Sequence, residues 1–230
     1  VTLMSSQTTA TAATAEHRIL RRAEVEAKTG HSGQIFKPGM GDGAIFEASR
    51  ILNEFREKLS TEKYLTFNPS IIVGGTKAAT ADVSGNATGK LNVVPAKVIV
   101  NGDLRFISNE QRTAARKTMS EIVARNLPGT TAKITFKDGN PAMAPVEGNY
   151  ALLKQLDQVS RDLGFGEMTA LDPGERGAGD IGYISDILPS LDGIGIGGTE
   201  RSHAKGEAAA LDTLPMLTKR AALLIYRLTR

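Results

Sequence analysis

The chain has no cysteine and no tryptophan, and only 5% of its 230 residues are aromatic. Without cysteine there is neither a disulfide nor a thiolate metal site, and the redox compartment is left open. Scarce aromatics leave the core to aliphatic side chains and alanine. No apolar run approaches the roughly 20 residues that cross a bilayer as a helix, so no membrane partner is expected. A dominant charge is lacking too: 28 Lys and Arg face 25 Asp and Glu, a net +3. The densest basic run, Arg18, Arg21 and Arg22, is followed at once by Glu24 and Glu26. No aromatics interleave with it, so it reads as solvated strand charge and no nucleic-acid partner is expected. The opening fifteen residues are rich in Thr, Ala and Ser and hold no His, Asp or Glu. They lack an initiator Met and the basic-then-apolar order of a signal peptide. An upstream portion is therefore expected to be missing, and the compartment is not legible from this end.

What is present is an ordinary globular composition, 40% hydrophobic and 23% charged. Arg18 to Ala27 alternates and predicts a strand. After the turn Lys28-Thr29-Gly30 comes an exposed segment, His31-Ser32-Gly33. The loop Pro38 to Gly43 then leads into a helix over Ala44 to Leu59, with Ile45, Ala48, Ile51, Leu52, Phe55 and Leu59 at helical spacing. Leu65 to Gly75 predicts a strand, and Thr76 to Lys90 a mobile loop or a hairpin. Leu91 to Phe106 predicts a strand interrupted by Pro95. Glu110 to Asn126 predicts a helix ended by Leu127-Pro128-Gly129, and Ala132 to Phe136 a short strand. The order β-α-β-β-α-β is the ferredoxin-like arrangement, an antiparallel four-stranded sheet with two helices on one face. Such a sheet leaves an edge strand free to pair with a second copy.

Past Pro141 the character changes. Tyr150 to Leu163 predicts a helix with Leu152, Leu153, Leu156, Val159 and Leu163 as its buried stripe. Gly174 to Gly182 is glycine-rich, and Ile184 to Leu188 is a short apolar turn. Leu191 to Gly198 predicts a buried strand, and Leu211 to Leu228 a terminal amphipathic helix. This α/β tail is too small to close a sheet of its own, so the missing strands are expected from residues outside the chain.

The three histidines are His17, His31 and His203. His17 lies in a charged lead-in and reads as solvated. His31 and His203 lie in Gly/Ser/Thr-rich turns, where a side chain is either simply exposed or held for function. His203 follows a predicted strand, a good position for a ligand site in an open α/β sheet. A catalytic zinc needs at least three protein ligands. Asp180 and Glu207 are candidate carboxylates, yet no HExxH, HxD or paired-Glu motif occurs, so a complete metal site is not expected here. Ser32 beside His31 lacks the GxSxG context of a nucleophile. Arg105, at the end of a predicted strand, is either a structural ion-pair partner or a bidentate carboxylate clamp. Gly177 to Gly182 has GxGxxG spacing, but no long hydrophobic strand precedes it, and a dinucleotide site is rejected.

Read in order, these segments resemble the M20 zinc metallopeptidases, in particular their glutamate-carboxypeptidase-like branch. Val25 to Gly33 resembles that family's strand-to-turn "H-S/A-G" motif, followed by the helix start Gly43 to Ala48. Leu91-Asn92-Val93-Val94-Pro95 is similar to its "x-N-x-I-P", and Asp103-Leu104-Arg105 to its "D-x-R", thirteen positions beyond Asn92. Pro141 to Asn149 resembles the link back into the catalytic domain, and Gly179 to Tyr183 the "G-T-D-A-G-Y" segment. Gly197-Gly198 through Ser202-His203 and on to Glu207 resembles the closing "G-x-H-(x)-E". Asn140 stands where the family often has Arg, which leaves side-chain preference open.

The resemblance implies a catalytic centre of two Zn2+ ions per active site bridged by water or hydroxide, with a Glu as general base. It implies His203 as the last zinc ligand. It implies that His31 reaches the other subunit's active site and stabilises the oxyanion, and that Asn92 and Arg105 bind the substrate's C-terminal side in the same way, Arg105 taking the α-carboxylate. The remaining zinc ligands and the base would lie upstream, so this fragment alone is expected to be inactive. The expected fold class is α+β / α/β: a lead-in over 1–15, a ferredoxin-like dimerisation domain over 16–140 that forms a homodimer, and the last part of the catalytic α/β domain over 141–230. The implied function is hydrolysis of the amide bond beside a C-terminal, glutamate-like residue of a peptide. Two rivals remain, a truncated paralogue that only dimerises and an M20 deacylase acting on N-acyl amino acids.

Overall fold

A computed structural model describes residues 9–10, 12, 20–175, 177–196 and 205–230. The chain divides into two compact units, one of Val1–Glu16 with Asn140–Arg230 and one of His17–Gly139. In chain order the strands are β1 (Thr9–Ala10), β2 (Leu20–Ala27), β3 (Thr66–Gly75), β4 (Lys77–Thr80), β5 (Gly85–Thr88), β6 (Lys97–Arg105), β7 (Thr130–Phe136) and β8 (Thr169–Ala170). The α-helices are α1 (Ala44–Leu59), α2 (Asn109–Val123), α3 (Glu147–Asp162) and α4 (Leu214–Leu228).

The central unit has the β-α-β-β-α-β order that its sequence predicts. Its four-stranded sheet runs β3-β6-β2-β7, every pairing antiparallel. Period-two alternation assigns the faces. Ala23, Val25, Val98, Val100 and Leu104 are buried and point to the helix side. There they meet the stripe Ala44, Ala48, Ile51 and Phe55 of α1 and Ala115, Met119 and Ile122 of α2. The opposite face carries Arg22, Glu24 and Glu26, joined by Lys97, whose Nζ lies 3.2 Å from Glu26 Oε1. Between β3 and β6 the polar stretch Thr76 to Lys90 forms the β4–β5 hairpin. It folds over this second face, where Asn101 Nδ2 donates to Ala81 O at 3.1 Å. Ile99 beneath it is fully buried.

Local chemistry fixes the helix ends. Ser108 caps α2, its hydroxyl accepting from Gln111 N at 3.2 Å, while Gln111 Oε1 accepts from Ile107 N at 3.0 Å, a near capping box. Helix α1 has no side-chain cap; its first turn instead carries the fully buried Glu47. The expected strand over Leu91 to Phe106 begins only at Lys97. Pro95 brings no N–H to a ladder, and Lys90 to Val93 closes as a turn with Val93 N donating to Lys90 O at 3.1 Å.

In the other unit, α3 and α4 pack on a core of Ala10, Ala12, Leu153, Leu156, Val159, Met168, Leu191 and Leu224. β1 pairs in parallel with β8, two residues each. Buried Asn149 is fully used: its Nδ2 donates to Ala12 O and Ala144 O, each at 2.9 Å, and its Oδ1 accepts from Ser190 N at 2.8 Å. The strand expected over Leu191 to Gly198 is not found in its described part, 191–196. Gly193 turns into the left-handed region at φ 68°, which breaks the extended run. Residues 180–183 form a short 3-10 helix, and among the described residues before it, 171–175 and 177–179, none is in a strand.

Candidate active-site tip

The turn after β2 and the turn before β6 meet at one end of the sheet. His31 and Val93 form an isolated antiparallel bridge. Around it Ser32 N donates to Asn92 O at 2.9 Å, Val94 N to Gly30 O at 2.8 Å, and Thr29 Oγ1 to Val94 O at 2.9 Å. Two of the residues singled out from sequence, His31 and Asn92, are thus brought into adjoining turns through their neighbours' backbones although sixty-one positions separate them in the chain.

His31 is exposed and caps a one-turn 3-10 helix, Ser32–Gln34. Its Nδ1 accepts a hydrogen bond from Gly33 N at 3.1 Å. A neutral imidazole that accepts at Nδ1 carries its proton on Nε2, so the ring offers an Nε2–H donor outward. Sequence reasoning missed the part played by Gly33; the one legible signal was its spacing two residues after a histidine.

The support beneath this turn comes from α1. Glu47 Oε2 accepts from Arg50 Nε at 2.9 Å and from Leu127 N at 3.1 Å, and Glu47 Oε1 from Arg50 at 2.6 Å. Arg50 also donates to Ile122 O at 3.1 Å and to Glu54 at 2.8 Å. The hydrogen bond to Glu47, and after it that to Glu54, holds the Arg50 guanidinium proton above its ordinary range against the opposing effect of burial. The turn pinned by Glu47 then reaches the tip: Asp42 N donates to Pro128 O at 3.0 Å, and Lys28 N to Gly129 O at 3.4 Å.

Arg105 lies elsewhere. β6 spans nine residues from Lys97 to Arg105, about 26 Å at the usual rise of about 3.3 Å per residue. Asn92 precedes one end of that strand and Arg105 closes the other. Arg105 Nε is bonded to Asp103 Oδ2 at 3.0 Å, with its side chain 40% exposed, so part of the guanidinium fork is open to solvent. His203 lies outside the described residues, as does His17. In the other unit Tyr183 OH donates to Asn140 Oδ1 at 3.3 Å, and Asn140 Nδ2 lies 3.5 Å from Asp180 Oδ1. Among the described residues no three His, Asp or Glu side chains converge as a metal would require. The described residues therefore do not by themselves fit a metal centre.

Residues 16–131 match the peptidase dimerisation domain of the M20 family, half of the chain. The chain belongs to the M20 peptidase dimerisation-domain family. Alongside this M20 match, the chain is 26% identical over 213 residues to carboxypeptidase G2 of a Pseudomonas species, covering 90% of this chain and 46% of that protein. The aminopeptidase PepT of Bacillus cereus shares the fold with a TM-score of 0.70 at 17% identity, over 96% of this chain and 54% of its own. A dinuclear metal binding M20 peptidase of Bacillus subtilis superposes with a TM-score of 0.58 at 16% identity, over 96% and 51% of the two chains. The M20 chain described here spans about half the length of these relatives.

Proposed function

We propose that this chain is the dimer-forming and substrate-closing part of a zinc-dependent M20 exopeptidase that cleaves the amide bond beside a C-terminal, glutamate-like residue. Carboxypeptidase G2 is the relative that motivates cleavage at a C-terminal residue, and the motif resemblance the glutamate-like preference. In this reading residues 16–140 are the dimerisation domain and 141–230 the last part of the catalytic domain. The 230-residue chain alone is inactive. It supplies His203 as one of the ligands of a pair of zinc ions whose other ligands, with the general base, lie outside it.

The observation that carries the reading is the tip itself. A hydrogen-bonded pair of turns presents an Nε2–H donor from His31 beside Asn92. An N–H held in place before reaction stabilises charge that develops on a carbonyl oxygen only in the transition state. The tip lies at the end of the sheet away from Leu20 and Phe136, where the chain enters and leaves the domain. That placement favours service to a neighbouring protomer. Arg105 takes the α-carboxylate. The scissile carbonyl belongs to the group acylating the C-terminal residue, three bonds from that residue's α-carboxylate, and the two lie within about 4 Å of each other along the chain. One strand length separates Arg105 from His31, so the two groups of a single protomer serve different sites of the homodimer: His31 and Asn92 in trans, Arg105 in cis.

Mixed dimers test this in the protein carrying the whole catalytic machinery. His31→Ala and Arg105→Ala each abolish most turnover alone. A two-fold dimer of one protomer of each kind restores one intact site, so a random equal mixture recovers about a quarter of wild-type activity. Absence of recovery would show that both residues act on the same site. A library of peptides and N-acyl amino acids, with and without a free α-carboxylate, then separates the carboxypeptidase from the deacylase reading.

A further inference from the structure

The geometry points to Gly33 as the positioning residue of His31: its N–H fixes the imidazole tautomer, and its missing side chain makes room for the ring. The inference rests on the proposed oxyanion-donor role of His31 and adds how that role is prepared.

Two observations support it. First, Gly33 N lies 3.1 Å from His31 Nδ1 and donates to it. An Nδ1 that accepts must hold a lone pair, so the proton of the neutral ring sits on Nε2. The other tautomer, or a doubly protonated ring, has no acceptor at Nδ1 and loses the bond. Second, a Cβ built at Gly33 would fall 3.2 Å from His31 Nδ1 and 3.6 Å from its Cε1. The ring therefore lies against the Gly33 backbone closely enough that a side chain there would shift it by a few tenths of an ångström.

The turn is held tightly enough for this to matter. Gln34 N donates to His31 O at 2.9 Å, Ile35 N to Ser32 O at 3.1 Å, and Ser32 N to Asn92 O at 2.9 Å. His31 itself is extended, φ −63° and ψ 134°, which swings its side chain back over the amide two residues on, as capping residues do. Backbone held on both sides leaves the ring little freedom except to break its contact with Gly33. A donor set in advance requires no reorganisation at the moment of reaction, which is where a fixed tautomer gains its effect.

The test uses the 230-residue chain labelled with nitrogen-15 at histidine and glycine, at a pH where the ring is neutral. In the wild type, a scalar coupling across the hydrogen bond should link the Gly33 amide nitrogen to Nδ1 of His31, and the ring nitrogens should report the Nε2–H tautomer alone. Gly33→Ala should lose the coupling and give mixed tautomers, while Ser32→Ala, in the same turn but off the ring, should keep both. A wild-type chain with mixed tautomers and no coupling, or a Gly33→Ala chain indistinguishable from it, overturns the inference.

Kinetics in the protein with its full catalytic machinery separates the two layers. Gly33→Ala should lower kcat about tenfold with KM little changed, the scale of a misplaced but present donor. If His31→Ala leaves kcat intact, the donor role itself fails. If His31→Ala is severe while Gly33→Ala loses the coupling without losing turnover, only the positioning role fails.

Discussion

Asp157 shows how one carboxylate can hold a loop. Its Oδ1 accepts from Met168 N at 2.8 Å, and both its oxygens accept from Arg161 Nε. The bond from Met168 first, and then Arg161, holds its carboxyl below the ordinary aspartate range against burial. The folded state therefore binds the proton less readily than the unfolded chain. The stabilisation is complete above the unfolded value of about 4 and is lost as pH falls through the lower folded value. Asp157→Asn should cost about 1 kcal/mol near neutrality, since the side chain is partly solvated. Thermal melts should show the gap between the two proteins shrinking as pH falls below the ordinary aspartate range; a gap that does not change with pH would remove the carboxylate as the cause. None of this was visible in the linear sequence, where Asp157 is one polar position on an amphipathic helix. Arg105 is the converse: its place at a strand end was legible, but the distance between it and His31 was not.

Between elements, the seam of α1 and α2 depends on an acid that hydropathy would have placed in water. Glu47 is fully buried in the first turn of α1, yet the pattern of that helix is set by Ile51, Phe55 and their neighbours. Burial is tolerated because Arg50 and Leu127 N meet both its oxygens. Glu47→Ala should cost about 3 kcal/mol, because it leaves the half-buried Arg50 guanidinium without its main partner and the Leu127 N–H without its acceptor. The double variant Glu47→Leu, Arg50→Met should cost less than Glu47→Ala alone. Denaturant unfolding measures both, and equal or additive costs would mean the pair is not coupled. The start of α2 was legible to within one residue, Glu110 against Asn109, and its end to within a turn, because helix boundaries depend on signals acting over a few residues. The strand expected at 191–198 was misread for the opposite reason: a strand needs a partner ladder, and Leu191 to Ile196 reads the same with or without one.

Over the whole molecule, assembly turns on the free side of β3, an edge strand of the four-stranded sheet. Ile72 on it is 57% exposed, as Ile45 and Phe46 of α1 are 47% and 52% exposed. A groove of about 420 Å³ continues along Leu52, Arg56, Leu65, Phe67 and Pro69. Exposed apolar residues beside an unpaired edge are the liability that a second copy removes, and we place the proposed homodimer contact there. Ile72→Lys should weaken self-association by about 2 kcal/mol, roughly thirtyfold in Kd. Sedimentation across a concentration series reads this directly. A variant that dimerises like the wild type, or a wild type that stays monomeric at high concentration, rules this edge out.

The sequence by itself determined the β-α-β-β-α-β order, the helices and the motif-bearing turns, because those depend on periodicity, caps and breakers acting over a few residues. Tertiary structure alone decided that His31 and Asn92 share a tip while Arg105 stands a strand away, that Gly33 holds the imidazole, and that Glu47 is buried. Each of these depends on which distant backbone groups become neighbours, and register across a sheet is set by the packing of its whole face rather than by any one segment.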